Sequence, residues 1–198
     1  MQMLAYETFM KHAAKVTKSI KESVKEKNPA LIGVKHFANG DAVVSDAIRI
    51  YLAKRIHDRT DEAIITPDGK KVKTAYPDIS RFFREDEPGQ EVKLDLPEIL
   101  TATDIIYSVG RLAKELVICE LKEDHIRFVS HELKIFYSLP IFQFNVYMNV
   151  EYLLDALKLI KASNSKTVVL KFYDRLKPLR IENEDGSLLI LILPIRMY

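Results

Sequence analysis

A pattern that occurs twice constrains this chain more than any other feature. Residues 95–102 (DLPEILTA) and 149–156 (NVEYLLDA) share a polar residue able to cap a helix, an apolar pair at the same offset, and an alanine. Asp95 with Glu98 also fits the capping box, in which side chains satisfy backbone amides left open at a helix start. An alternating, strand-like stretch precedes each copy, at 91–94 and 142–147. Three further stretches follow each one, at 116–122, 125–131 and 133–139, and at 167–173, 179–182 and 188–193. The unit is strand, helix, three strands, used twice. Such a unit cannot bury its apolar face alone, so the two copies are expected to close on each other. The class is α+β, with repeated strand-helix-strands units that set helices on one face of curved antiparallel sheets.

The N-terminal part shows one shorter version of the unit. A strand is expected over residues 1–4 and a helix over 7–25, where Phe9, Ala13, Val16, Ile20 and Val24 make an apolar stripe. Lys11, Lys15, Lys18, Lys21 and Lys25 occupy the opposite side. Asn28 and Pro29 end the helix. Strands are expected at 30–37, 42–45 and 50–56, with turns at 38–41 and 67–69. The polar segment 84–90, punctuated by Pro88 and Gly89, divides the chain into an abbreviated N-terminal domain, 1–88, and a complete C-terminal one, 89–198.

At this point the sequence resembles the bacterial DNA polymerase III beta subunit, or sliding clamp. Residues 149–160 (NVEYLLDALKLI) look like the family's N-x-K-Y-L-L-D-A-L helix, 176–181 (LKPLRI) like its L-x-P-hydrophobic-x-I strand, and 193–197 (LPIRM) like its M-P-M-R-L end. In the N-terminal half, 44–50 (VSDAIRI) resembles A-T-D-G-H-R-L, 76–82 (YPDISRF) resembles F-P-D-Y-x-R-V, and Leu31 with Gly33 fits L-x-G. The match covers the second and third of the family's three domains. Within the second, only residues 60–75 stand where a helix and several strands would be, and Ala47 and Ile48 replace a glycine and a histidine.

The resemblance implies a DNA clamp fold and a processivity factor that tethers polymerase or repair proteins to DNA. Its peptide-binding groove would be lined by Leu31, Arg49, Ile50, Pro77, Phe82, Leu191, Leu193, Pro194, Ile195 and Arg196. Linear motifs need such preformed apolar pockets with a few polar groups to fix register. A core role for Leu191 and Leu193 explains the same residues. DNA contact would fall to Lys11, Lys15, Lys18, Lys21 and Lys25, held against phosphates without base readout. A plain solvated helix face explains them equally well. Partners implied are double-stranded DNA and the peptides of DNA polymerase and clamp loader. A chain of nearly two domains would close a homo-oligomeric ring with three copies. The alternatives are an interaction protein or decoy that binds clamp-binding peptides without forming a ring, and a non-specific DNA-binding accessory protein.

Composition excludes more than it selects. With 30 basic and 28 acidic side chains the net charge is only +2, so charge placement matters and overall charge does not. Six glycines leave no room for a phosphate-cradling fingerprint. His12, His36, His57, His125 and His131 lack metal-ligand spacing, and the cluster at 57–62 reads as a charged loop. The lone Cys119 sits in an apolar run and is expected to be a buried structural thiol in a reducing cytoplasm. No enzyme, cofactor, metal or membrane partner is expected.

Overall fold

The computed structural model describes residues 4–83, 87–113, 118–122, 125–129, 134–138, 146–174 and 176–196, of which 113, 118–122, 125–129 and 134–138 are described by their backbone alone. The side chain of Cys119, residues 1–3 of the expected first strand, His131 and Met197 lie outside the described residues. Among the described residues four α-helices occur: α1 (Tyr6–Lys18), α2 (Glu22–Lys27), α3 (Leu96–Ala113) and α4 (Val150–Ala162). The N-terminal strands are β1 (Val34–His36), β2 (Ala42–Ser45), β3 (Arg49–Ala53) and β4 (Ala63–Ile65). The remaining strands are β5 (Gln90–Asp95), β6 (Ile118–Lys122), β7 (His125–Val129), β8 (Lys134–Ser138), β9 (Val146–Asn149), β10 (Thr167–Phe172), β11 (Leu179–Asn183) and β12 (Leu188–Ile192).

The repeated unit takes the form its pattern dictates. Asp95 Oδ1 accepts from the Glu98 amide at 2.9 Å, and Asn149 Oδ1 accepts from the Glu151 amide at 2.9 Å, so each repeat's polar residue caps its helix. The two copies exchange opening strands. β5 pairs with β10 of the second copy, and β9 pairs with β6 of the first, all antiparallel. Neither sheet is therefore complete within one copy. Two sheets result, ordered β4-β1-β2-β3-β12-β11-β10-β5 and β8-β7-β6-β9.

The eight-stranded sheet runs through both halves of the chain, because β3 pairs with β12 from Arg49↔Ile192 to Ala53↔Leu188. Side chains alternate across that seam. Tyr51, Ala53, Leu188, Ile190 and Ile192 join the main core beneath α1, α3 and α4. Ile50, Leu52, Leu189 and Leu191 join a smaller cluster on the other face.

The N-terminal part departs from expectation in three places. The single helix expected over 7–25 is two, broken at Ser19, whose hydroxyl lies 2.8 Å from both Val16 O and Asp46 Oδ2. Phe9, Ala13, Val16 and Ile20 are buried as the stripe predicts, but α2 buries no side chain. The strand expected from residue 30 starts at Val34, after a 3₁₀ turn over Pro29–Ile32. Gly33 follows that turn because a Cβ there would stand 2.7 Å from Ile64 Cγ2. The turn at 38–41 closes the β1–β2 hairpin with Gly40 at φ +89°, as its sequence suggests.

Candidate functional site

On the face of the large sheet away from the helices, residues 76–83 form a strap across β3 and β12. Asp78 Oδ1 accepts from the Ser80 amide at 2.9 Å and starts a 3₁₀ turn over Ser80–Phe83. This turn drives Ile79 into the small cluster and leaves Phe82 half-buried at the edge. Between strap, seam and the 3₁₀ turn at Leu31 lies an open cavity of about 260 Å³. Leu31, Ile50, Pro77, Phe82, Leu191 and Leu193 line it. Four segments separated in sequence, at Leu31, Ile50, 77–82 and 191–193, thus meet in one apolar hollow, and Leu193 is 39% exposed there. Its amide donates to Ile48 O at 2.9 Å, which fixes it beside the β2–β3 turn.

That turn has two sides with different chemistry. Ala47 adopts φ +71°, while Ser45 Oγ accepts from the Ala47 amide and Asp46 Oδ1 from the amides of Ile48 and Arg49. Ala47 and Ile48 consequently line the cavity, along with Ser45 and Asn28. Asp46 and Arg49 turn the opposite way, toward the helices. Arg49 is 3% exposed and does not line the cavity, which corrects its expected place in the groove. Its Nε donates to Asp46 Oδ2 at 2.9 Å, its Nη1 to Asp155 Oδ2 of α4 at 2.9 Å, and its Nη2 to Ser19 Oγ at 3.1 Å. The guanidinium also stands 4.4 Å from the Tyr152 ring centroid. Burial works against its charge, but Tyr51, Asp46 and Asp155 outweigh burial and raise its pKa above the ordinary arginine value. The cause of the correction is period two: in a strand Arg49 and Ile50 must face opposite ways.

Pro194, Ile195 and Arg196 do not line the cavity either. The chain after Leu193 runs toward β9, where the Ile195 amide donates to Tyr147 O at 2.7 Å. The lining residues that the sequence did not single out are Asn28, Ser45, Ala47, Ile48, Asp78, Ile79, Arg81 and Pro178. Ile48 and Ile79 were within reach of the resemblance, since each lies inside a segment it picked out, 44–50 and 76–82.

The helix face carries a depression of about 570 Å³ bounded by α1, α3 and α4. Lys15, Lys18, Arg111 and Lys158 supply positive charge, and Glu151 and Asp155 oppose it. Lys15 lies 3.4 Å from Asp155, and Lys158 pairs with Asp104 at 2.9 Å. Arg111, Tyr107 and Tyr152 on this face were not anticipated. The five lysines do not form one stripe. Lys11 borders a separate hollow beside the turn after β4, Lys21 precedes α2, and Lys25 pairs with Glu22 at 3.1 Å.

Two histidines meet under α1, His36 fully buried and His57 half-buried. His36 is 0% exposed and its Nδ1–H donates to Val34 O at 3.0 Å, so its Nε2 accepts from Tyr6 OH at 2.9 Å. Burial, with His57 at 4.8 Å between ring centroids, pushes its pKa down to about 4. Among the described residues no group of three or more His, Cys, Asp or Glu side chains is placed to hold a metal, and no helix is long and apolar enough to cross a membrane.

Comparison with known proteins places this architecture. No family model matches the sequence, and no curated protein matches it. Solved structures do. The Caulobacter crescentus beta sliding clamp aligns at a TM-score of 0.75 with 16% identity, covering 99% of this chain and 65% of that one. The Bacillus subtilis DNA polymerase sliding clamp gives 0.74 with 20% identity, covering 98% and 62%. The Helicobacter pylori beta clamp, solved with a DNA ligase peptide, gives 0.71 with 16% identity, covering 99% and 65%. The fold is that of the bacterial sliding clamps, and the chain spans about 65% of their length.

Proposed function

We propose that this chain is a short, clamp-like processivity factor that tethers polymerase or repair proteins to DNA and catalyses nothing itself. The observation that carries the reading is the apolar cavity made by Leu31, Ile50, the strap residues Pro77 and Phe82, and Leu191 with Leu193. Its apolar lining suits two or three anchor side chains of a linear motif. That the Helicobacter pylori clamp was solved with a DNA ligase peptide supports this occupant. On the opposite side of the same sheet, Lys15, Lys18, Arg111 and Lys158 would meet the phosphate backbone without reading sequence. Each such contact is weak and screened by salt, so retention on DNA would depend on a closed ring, here of three copies.

A labelled peptide with leucine and phenylalanine anchors should bind the intact chain, and Leu193→Asp should lower its affinity at least tenfold. Unchanged affinity refutes the groove. Solution mass with and without circular DNA tests the ring, since a strict monomer in both cases refutes it. The second reading, a peptide-binding protein that never encircles DNA, is favoured by one observation: β4 leads directly to the strap, with no helix between. It predicts peptide binding by a monomer with no preference for circular over linear duplex.

A further inference from the structure

The turn that joins β2 to β3 forms one wall of the apolar cavity, in a conformation its sequence does not favour. Ser45, Ala47 and Ile48 line the cavity, whereas Asp46, which follows Ser45, does not. Ala47 stands at φ +71°, in the left-handed region that residues with a Cβ rarely adopt. Such a conformation persists only where surrounding contacts enforce it. Here one buried side chain supplies most of them. Asp46 is 4% exposed, and its Oδ1 accepts from the amides of Ile48, at 3.0 Å, and Arg49, at 2.8 Å. Its own amide donates to Arg49 O at 3.3 Å and closes the turn. Ser45 Oγ adds a bond from the Ala47 amide at 3.1 Å. The carbonyl of Ile48 then accepts from the Leu193 amide, so a second cavity residue takes its place from the same turn. The other oxygen of Asp46 has a separate role. It accepts from Arg49 Nε and Ser19 Oγ on the helix side of the sheet.

We propose that Asp46 is the positioning residue of the groove: it touches no bound peptide, yet its Oδ1 sets the wall of Ile48 and Leu193 against which one docks. This inference rests on the groove reading above. The oxygens of the carboxylate divide the labour. Oδ2 serves stability through Arg49, and Oδ1 serves binding through the turn. Without Oδ1 the amides of Ile48 and Arg49 lose their acceptor, and Ala47 relaxes toward negative φ. The Ile48 carbonyl then swings off the Leu193 amide, and the cavity loses both of these walls together. Glycine at position 47 adopts positive φ without strain, so it holds the turn even where the carboxylate is gone.

The test follows urea stability and the anisotropy of a labelled peptide with leucine and phenylalanine anchors. It uses the intact chain, under conditions where circular dichroism shows each variant folded. Asp46→Ala should weaken the peptide about tenfold. Asp46→Asn keeps an acceptor for both amides but sets an N–H against Arg49, so it should lose stability and bind within about twofold of the unsubstituted chain. Asp155→Asn weakens the hold on Arg49 from α4 and should behave in the same way. Asp46→Ala combined with Ala47→Gly should recover most of the lost affinity. A tenfold weakening in Asp46→Asn or Asp155→Asn means that affinity only follows stability, and overturns the proposal. So does a double variant that binds no better than Asp46→Ala, or an Asp46→Ala chain that binds as the unsubstituted one. Should Asp46→Ala not fold, the two asparagine variants decide. All of these outcomes leave the groove standing, whereas an unsubstituted chain that binds no such peptide overturns both readings.

Discussion

The two faces of the β3–β12 seam are made by alternate residues of the same strands, yet they end in different states. On one face Tyr51, Ile190 and Ile192 are at most 1% exposed, closed over by α1 and α4 and by the ion network around Arg49. On the other Ile50, Leu52 and Leu191 keep 4–9% exposure under a single strap, and the cavity opens beside them. Apolar burial scales with the area removed from water, and a void forfeits the contacts that would fill it. The helix face is thus the more tightly closed of the two, and the strap face leaves apolar surface open beside the cavity.

The largest expected effect lies on the closed face. Asp46→Ala leaves the buried Arg49 guanidinium without the buried one of its two carboxylate partners, and should cost about 3–5 kcal/mol in urea unfolding. A loss below about 0.5 kcal/mol would erase the distinction between the faces.

Next comes His36, also on the closed face. Its folded pKa, near 4, lies below the ordinary histidine value of 6.5. Between those values the unfolded chain binds a proton that the folded chain refuses, so stability falls as pH falls from about 6.5 to about 4. The loss approaches about 3 kcal/mol and is complete once both states are protonated. Unfolding measured across this range should show the slope, and His36→Gln should flatten it. An unchanged slope in the variant would place the titration elsewhere.

A matched pair separates the faces directly. Ile190→Ala should cost about 2–4 kcal/mol and leave peptide affinity unchanged, whereas Leu191→Ala should cost less stability and weaken the peptide tenfold or more. Equal effects on both readouts would join the two clusters into one core. The smallest effect is expected at Leu193, where alanine should move stability by less than about 0.5 kcal/mol and affinity by several-fold.

How much of this was legible in the sequence depends on the range of the cause. Helix starts at Asp95 and Asn149 were readable because capping is local. The Ser19 break was not, because the apolar stripe runs on to Val24 and the break is fixed by Asp46 and Arg49, which come later in the chain. The strand exchange was equally hidden, since no local pattern says that β5 seeks β10. For the site, the resemblance carried Arg49 and Ile50 as a block, although strand alternation separates them. Pro194, Ile195 and Arg196 were carried in the same way, along a tail that turns away toward Tyr147. Arg81, Lys177 and Arg180 fell inside segments that the resemblance picked out, but nothing local marked them as neighbours. They lie on the strap, in a loop and on β11, and only the folded sheet gathers them.

The seam has a further consequence for how the molecule comes into being. β3 is ready early in synthesis, but its neighbour β12 leaves the ribosome after every other described strand. Until then β3 presents an unpaired apolar edge, the kind of surface on which nascent chains aggregate. The non-local pairing also makes folding slow for a protein of this size. A chaperone that shields residues 49–53 during translation should therefore raise the soluble yield more than one acting on the finished chain.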